Sequence, residues 1–520
     1  MNPVTDEPAA VSPGAIDQPA HRNGSLSSSR IMALGGLLAL LWAAILALIM
    51  RTTVGTDVGW YLVAARKWLA GGELYTDIVE VNPPLAFYLV VPATWLEDLS
   101  GFGSQTAFFT YVAILAALSL ALCCRIVLAA GLKPVLAIIL ALALFDALLI
   151  VPFTDFGQRE HFMLIFALPY LVMSALFAER NTLSTPERFA IGALAVIGLA
   201  LKPYFLAMPV MVTVARMALG GSLRQAVRIV LSPENLAIGF GCIFYLLLIW
   251  IRHPVYLETV LPMVREIYIG VGHEYAFWMR LTAALLFLGT PPILFALTRS
   301  NNRPDGTMIV LLAAIAGFTV SHLVQGKGWH YHFLPALACI VIAASVYAGL
   351  SLTDRTRPLI PALALLTAIY LGVVNPLAKG AWGHPEMQLI LAAHQDRLEG
   401  RKIASWTPRI EISFPLVNVT HAQWASRYAY LWPLSGALQT ISASDDPQVK
   451  KDARTIIETV RGHIVDDLIA LRPDIILISG AQAESYRVFL ETDPRFDEAF
   501  APFSKVDVIE GIEIWERASE

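Results

Sequence analysis

Charge is scarce in this chain. Only 15% of its 520 residues are Asp, Glu, Lys or Arg, against about 25% in soluble domains. Hydrophobic residues make up 56%, and mean hydropathy is +0.61. The deficit is uneven, because the last third has near-normal polarity. An all-soluble protein is therefore excluded, and the first 380 or so residues read as a helical membrane bundle. Its apolar blocks are too long for a transmembrane β-barrel. Basic residues are scarce too. Lys plus Arg is 37, the net charge is −4, and no basic stripe lies outside the flanks of apolar blocks, so nucleic acid is not a partner. Cysteine is almost missing. Cys123, Cys124, Cys242 and Cys339 all sit in apolar blocks with no metal-ligand spacing, which leaves a disulfide framework unsupported. P-loop and dinucleotide fingerprints are absent as well.

What is present is a series of apolar blocks. Residues 1–30, rich in Pro, Ala and Ser, read as a disordered cytoplasmic tail. The first block, 31–50, carries no small-residue cleavage signature and reads as an uncleaved span. Further candidates are 104–124, 134–152, 161–178, 188–201, 204–217, 236–252, 279–298, 307–324, 331–350 and 358–377. That makes about eleven spans. The pair 188–201 and 204–217 is short, with Lys202-Pro203 between its members, so one long kinked element is the alternative. Charge arbitrates. With the N-terminus inside, Arg125 and Lys133, Arg180 and Arg188, Arg216, Arg224 and Arg228, Arg299 and Arg303, and Arg355 and Arg357 all fall in inner loops, the positive-inside pattern. The tail from about 378 then lies outside.

That topology collects the unusual polar residues on the outer side. Asp57, Asp77 and Glu80 lie in a first outer loop, 51–103. Asp155, Arg159, Glu160 and His161 follow in the second, and Lys202 in the third. Arg265, Glu266, His273 and Glu274, then Lys327, His330 and His332, complete the set. Ionisable groups at helix ends in a membrane protein need a reason. Loop solvation is the plain one, a structural salt-bridge network around Asp155–Glu160 another, and a shared outward-facing site the third. Within loop one, Asp57–Leu69 has helical periodicity with Trp60, Tyr61 and Trp68, a helix lying along the membrane surface. Asp57 at its start is either a helix cap or a functional carboxylate. Gly71-Gly72 ends this helix, Asn82-Pro83-Pro84 forces a turn, and 85–96 is expected to form a second surface helix.

A first span, an acidic residue shortly after it, a surface helix, and the run Tyr75-x-Asp77-x-x-Glu80-x-Asn82-Pro83-Pro84-Leu85 together resemble the GT-C superfamily of polyprenyl-phosphate-sugar-dependent glycosyltransferases. The likeness is nearest to the group of lipid A aminoarabinose transferases, protein mannosyltransferases and rhizobial lipopolysaccharide-core glycosyltransferases. It covers 31–377 in layout and 57–85, 155–161, 202–204 and 325–332 in motif. The resemblance implies an inner-membrane enzyme that moves a sugar from a polyprenyl phosphate carrier to a cell-envelope glycan or lipid on the periplasmic side. It implies Asp57 as general base or acceptor orienter, with Glu80 as rival, since position 58 is Val where some relatives carry a second acid. Many members use a divalent cation, and Asp57, Glu80 and Asp155, with Glu160 also available, offer hard oxygen ligands suited to Mg²⁺ or Mn²⁺. Asp155, Arg159, Glu160, His161, Lys202, Lys327, His330 and His332 are expected around the donor phosphate or sugar, where arginine suits bidentate contact and lysine a point charge.

The tail, 378–520, reads as a periplasmic α/β domain. A helix is expected over 386–401 and another over 453–469. DIILIS, 474–479, is a buried strand, and 503–514 is strand-like. Arg409, His421, Arg427, Tyr428, Tyr430 and Trp432 either approach the membrane surface or pack the domain against the bundle. The expected fold is thus an α-helical polytopic membrane protein of GT-C type with a C-terminal periplasmic α/β domain. The alternatives are a transporter or lipid flippase, whose ionisable groups sit at mid-membrane on broken helices, or a non-catalytic polysaccharide assembly subunit.

Overall fold

The structure, a computed structural model, describes residues 28–177, 183–268, 306–327, 329–352 and 385–518. The expected spans 279–298 and 358–377, with His273 and Glu274, lie outside these residues. The other expected spans are all met by helices. In chain order these are α1 (Ser28–Ile49), α5 (Ser104–Ala129), α6 (Pro134–Leu149), α7 (Arg159–Leu176), α8 (Thr185–Leu199), α9 (Ala207–Gly220), α11 (Pro233–Arg252), Gly306–Gln325 and Leu334–Leu352. Among the described residues, 7 helices are long and apolar enough to cross a membrane. This is a multi-pass membrane protein. Helix α7 is its centre, with nearly every residue buried, whereas α1 and α11 leave most of their apolar side chains exposed, as lipid-facing helices do.

The short pair α8 and α9 is two antiparallel helices, not one kinked element. Glu234, in the first turn of α11, bonds Arg188 in the first turn of α8 (2.7 Å) and Arg216 near the end of α9 (3.0 Å). The start of α8 and the end of α9 are therefore level. Lys202, between them, reaches Glu160 at the opposite end of the bundle. Helix α8 starts sharply because Ser184 and Glu187 form a reciprocal capping box. Close packing is set by missing side chains: a Cβ on Gly198 would fall 2.7 Å from the Met163 carbonyl, and one on Gly317 2.6 Å from Met208 Cα.

Loop one begins with α2 (Thr56–Leu69), as the periodicity predicts. It is not a free surface helix, however, since Val58 to Ala65 are all buried. The second expected helix is split by Leu89-Val90 into a turn, Leu85–Tyr88, and α4 (Val91–Ser100).

Residues 385–518 form a mixed five-stranded sheet in the order β2-β1-β3-β5-β4. β1 (Lys402–Trp406) runs parallel to β2 (Gln423–Trp424) and to β3 (Ile475–Ser479), with Ile403 opposite Ile475. β3 is the expected DIILIS strand, buried on both faces. The strand-like stretch at 503–514 is a hairpin. β4 (Phe503–Ile509) and β5 (Ile512–Arg517) pair across Glu510-Gly511, both at positive φ, the two-residue turn whose twist suits antiparallel strands. The expected helices are present at Pro385–Leu398 and Pro447–Leu471.

This domain is seated on loop one. Val79 N donates to Arg427 O (2.8 Å), Lys67 Nζ to Ser426 O (2.7 Å) and Asn418 Nδ2 to Gly59 O (3.1 Å). Trp60 packs on Phe414 with centroids 5.5 Å apart. Gly59 allows the approach, since a Cβ there would lie 2.8 Å from Asn418 Oδ1 and 3.2 Å from Phe414 Cβ.

Candidate active site

A cavity of about 380 Å³ opens on the seam between α2, the loop at Glu80–Asn82, the start of α7, the Trp329–Tyr331 turn and the soluble domain. Asp57, Glu80, Arg159 and His330 line it, with Trp60, Tyr61, Tyr268, Trp329, Tyr331, Arg409, Glu411, Tyr430 and Trp432 among the other walls.

Asp57 sits in the first turn of α2. The helix cap is Gly55 and receives no side-chain bond, so the carboxylate is not spent on capping. Its Oδ2 accepts from Arg159 Nη2 (2.6 Å) and Tyr331 OH (3.3 Å). Its Oδ1 has no protein partner among the described residues. One oxygen is held and the other is offered to the cavity.

Glu80 is built differently. Its Oε2 accepts from Trp60 Nε1 (2.8 Å), and its Oε1 from Tyr61 OH (3.3 Å), Asn82 N (3.1 Å) and Asn82 Nδ2. Burial pushes this carboxyl above its ordinary value, against the lowering pull of Arg159 and the Asn82 and Trp60 bonds. Tyr61 ties the two carboxylates together, receiving Arg159 Nη1 (3.1 Å) while donating to Glu80. Burial raises the Tyr61 phenol well above its usual range, so it stays a neutral donor.

Behind the walls stands a second set. Asp155 faces His330 Nε2 (3.2 Å). Lys202 Nζ donates to Glu160 Oε1 (2.6 Å) and Gln325 Oε1 (2.9 Å) and lies 3.3 Å from His332 Nε2. All four are buried. Burial pulls the Lys202 ammonium down to about 8, with Glu160 offsetting only part of that. Lys327 donates to Tyr268 O and stands 3.9 Å from the centre of that ring, so it braces a wall from outside. His161 is committed to the backbone, accepting from Gly157 N (3.0 Å) and meeting Leu148 O (2.9 Å). Asp77 accepts from Glu73 N in a local turn.

The expected metal ligands do not converge. Among the described residues no group of three or more His, Cys, Asp and Glu side chains is placed to hold an ion. Asp57 is engaged through one oxygen by Arg159, Glu80 by its ring of donors and Asp155 by His330, and the three make no such group. Sequence reasoning missed Glu411 and Tyr268 as cavity walls, and nothing local in the sequence marks either.

No protein-family model matches the sequence, and no curated protein matches it. Solved structures do. The structure of ArnT from Cupriavidus metallidurans bound to undecaprenyl phosphate superposes over 95% of this chain and 99% of that one, with TM-score 0.57 and 13% identity. The apo form of the same protein gives 94% and 97%, TM-score 0.55 and 14% identity. The chain has the GT-C fold. In this GT-C fold the cavity occupies the seam between the membrane bundle and the soluble domain, and the acidic residue after the first span opens onto it.

Proposed function

We propose that this protein is a glycosyltransferase that moves a sugar from a polyprenyl phosphate carrier to a cell-envelope glycan or lipid acceptor, with Asp57 as general base. The reading is supported by one arrangement above all. Asp57 sits in a cavity where bundle and soluble domain meet, its Oδ2 fixed by Arg159 and Tyr331 and its Oδ1 open. A base fixed at one oxygen and open at the other is pre-oriented for proton abstraction. The shared fold with a protein that binds undecaprenyl phosphate supports the choice of donor.

In this reading the acceptor oxygen attacks C1 of the donor sugar while Asp57 Oδ1 takes its proton. The bond from C1 to the phosphate oxygen breaks, its electron pair leaves on the polyprenyl phosphate, and a glycosidic bond forms. Arg159 and His330 lie where the leaving phosphate gathers charge. Glu80, saturated with donors, holds Trp60, Tyr61 and Asn82 in place instead of moving protons. Lys202, Glu160 and His332 fix the Trp329–Tyr331 turn from behind, and Lys327 fixes Tyr268. The active side is the periplasmic face of a bacterial inner membrane. A transporter reading is disfavoured by the gathering of ionisable side chains at one end of the bundle.

The test is binding of undecaprenyl phosphate to the purified protein in nanodiscs. Saturable binding, weakened at least about tenfold by Arg159→Ala through loss of a charge-assisted contact, is expected. Absence of binding by the unaltered protein refutes the donor assignment.

A further inference from the structure

The soluble domain does more than cover the cavity. Its sheet is doubly wound at β1: the chain leaves β1 for β2 on one side, then returns to β3 on the other. In open α/β sheets ligands settle outside the carboxyl ends of the strands at such a switch point. Here the loop leaving the carboxyl end of β1, Pro408 to Glu411, runs straight into the cavity wall.

The loop is held in place. Thr407, fully buried, accepts Arg409 N on its hydroxyl (3.1 Å) and Leu431 N on its carbonyl (2.9 Å). That second bond brings Tyr430 and Trp432 beside it, and Trp432 packs edge-on to Tyr268 at 5.5 Å. Arg409 is clasped by Glu411 Oε1 (2.9 Å) and Glu386 Oε1 (3.0 Å). Glu411 Oε2 has no protein partner among the described residues.

We infer that the crevice at the carboxyl edge of the soluble sheet, formed by Arg409, Glu411, Tyr430 and Trp432, is a binding subsite for a saccharide ring of the acceptor. The chemistry fits that class of ligand. Aromatic faces suit the C–H face of a pyranose, an unspent carboxylate oxygen accepts from ring hydroxyls, and a guanidinium clasped by carboxylates donates without offering a bare positive charge. The subsite lines the same cavity as Arg159 and Asp57, so a sugar held there shares one chamber with the base. The inference rests on the transferase reading above and adds the acceptor side to it.

The experiment uses the full chain in nanodiscs, titrated separately with lipooligosaccharide and with undecaprenyl phosphate. Glu411→Gln and Arg409→Gln alter a half-exposed ion pair and are expected to leave the fold intact. Trp432→Phe, which keeps a ring at the buried position, is a third variant. Lipooligosaccharide affinity should fall about tenfold or more in Glu411→Gln, as for loss of a hydrogen bond to a charged group. Undecaprenyl phosphate affinity should stay within about twofold of the unaltered protein by the same arithmetic. Equal lipooligosaccharide affinity in all variants, or a parallel fall in undecaprenyl phosphate affinity, overturns the subsite. So does failure of the unaltered protein to bind lipooligosaccharide. Failure to bind undecaprenyl phosphate alone counts against the transferase reading and leaves the saccharide subsite standing.

Discussion

Replacing Lys202 and Glu160 one at a time and together separates two meanings of a buried ion pair. The pair spans 2.6 Å, with side-chain exposures of 8% and 0%. Among the described residues, Glu160 Oε2 has no hydrogen-bond partner. Burial draws the Lys202 ammonium down to about 8 even with the carboxylate in contact, so desolvation outweighs the attraction. Removing one charge leaves the other buried and unpaired, which costs about 3–5 kcal/mol. Removing both with groups of similar size relieves the desolvation, and such replacements are neutral or stabilising by about 1–4 kcal/mol. Lys202→Met and Glu160→Gln should each lower the unfolding free energy in mixed micelles by several kcal/mol. The double variant should match or exceed the starting protein. Linkage supplies a second readout. A lysine depressed in the fold contributes stability above its unfolded value of 10.5 that is lost as pH falls through about 8. Stability should therefore rise between about pH 8 and 10.5, and the slope should vanish in Lys202→Met. Additive losses in the double variant would refute the reasoning.

Glu80→Gln should destabilise loop one by about 1–3 kcal/mol, because its amide must turn a donor toward a donor, Trp60 Nε1 or the Asn82 pair; unfolding titrations measure this. The raised carboxyl of Glu80 contributes stability that is complete below its ordinary 4.5 and lost as pH rises through its folded value. The glutamine variant should show a flatter stability profile between 4.5 and that folded value. Gly59→Ala should loosen the soluble domain, since the new methyl meets Asn418 Oδ1 at 2.8 Å, and limited proteolysis should then release 385–518 sooner than from the unaltered protein.

Much of the bundle is legible in the sequence because long apolar blocks carry their own signal and basic residues cluster between them on alternate sides. The antiparallel turn at Lys202-Pro203 followed from that charge pattern, and Arg188, Glu234 and Arg216 show its physical basis. The surface helix after the first span was readable from its period. Its burial was not, because part of what covers it, Phe414 and Asn418, lies far along the chain. Asp57, Glu80, Arg159 and His330 share a cavity as their common topological side implied. His161 looks the same in sequence as His330, but backbone groups take both of its nitrogens. The carboxylates suggested for a metal could not be tested by sequence, since Arg159 and His330, which engage Asp57 and Asp155, come from other loops. Glu411 and Tyr268 carry no local pattern and are cavity walls only through the docking of the soluble domain.

The central claim is that Asp57 is the proton acceptor in transfer from a polyprenyl phosphate sugar. The most direct measurement is turnover of Asp57→Asn in membranes from a strain lacking the protein, supplied with polyprenyl-phosphate sugar and envelope glycan, alongside its affinity for undecaprenyl phosphate. Asparagine keeps the shape and removes the base. The account predicts turnover lower by at least about 10²-fold with binding of undecaprenyl phosphate retained. Full transfer by Asp57→Asn would contradict it.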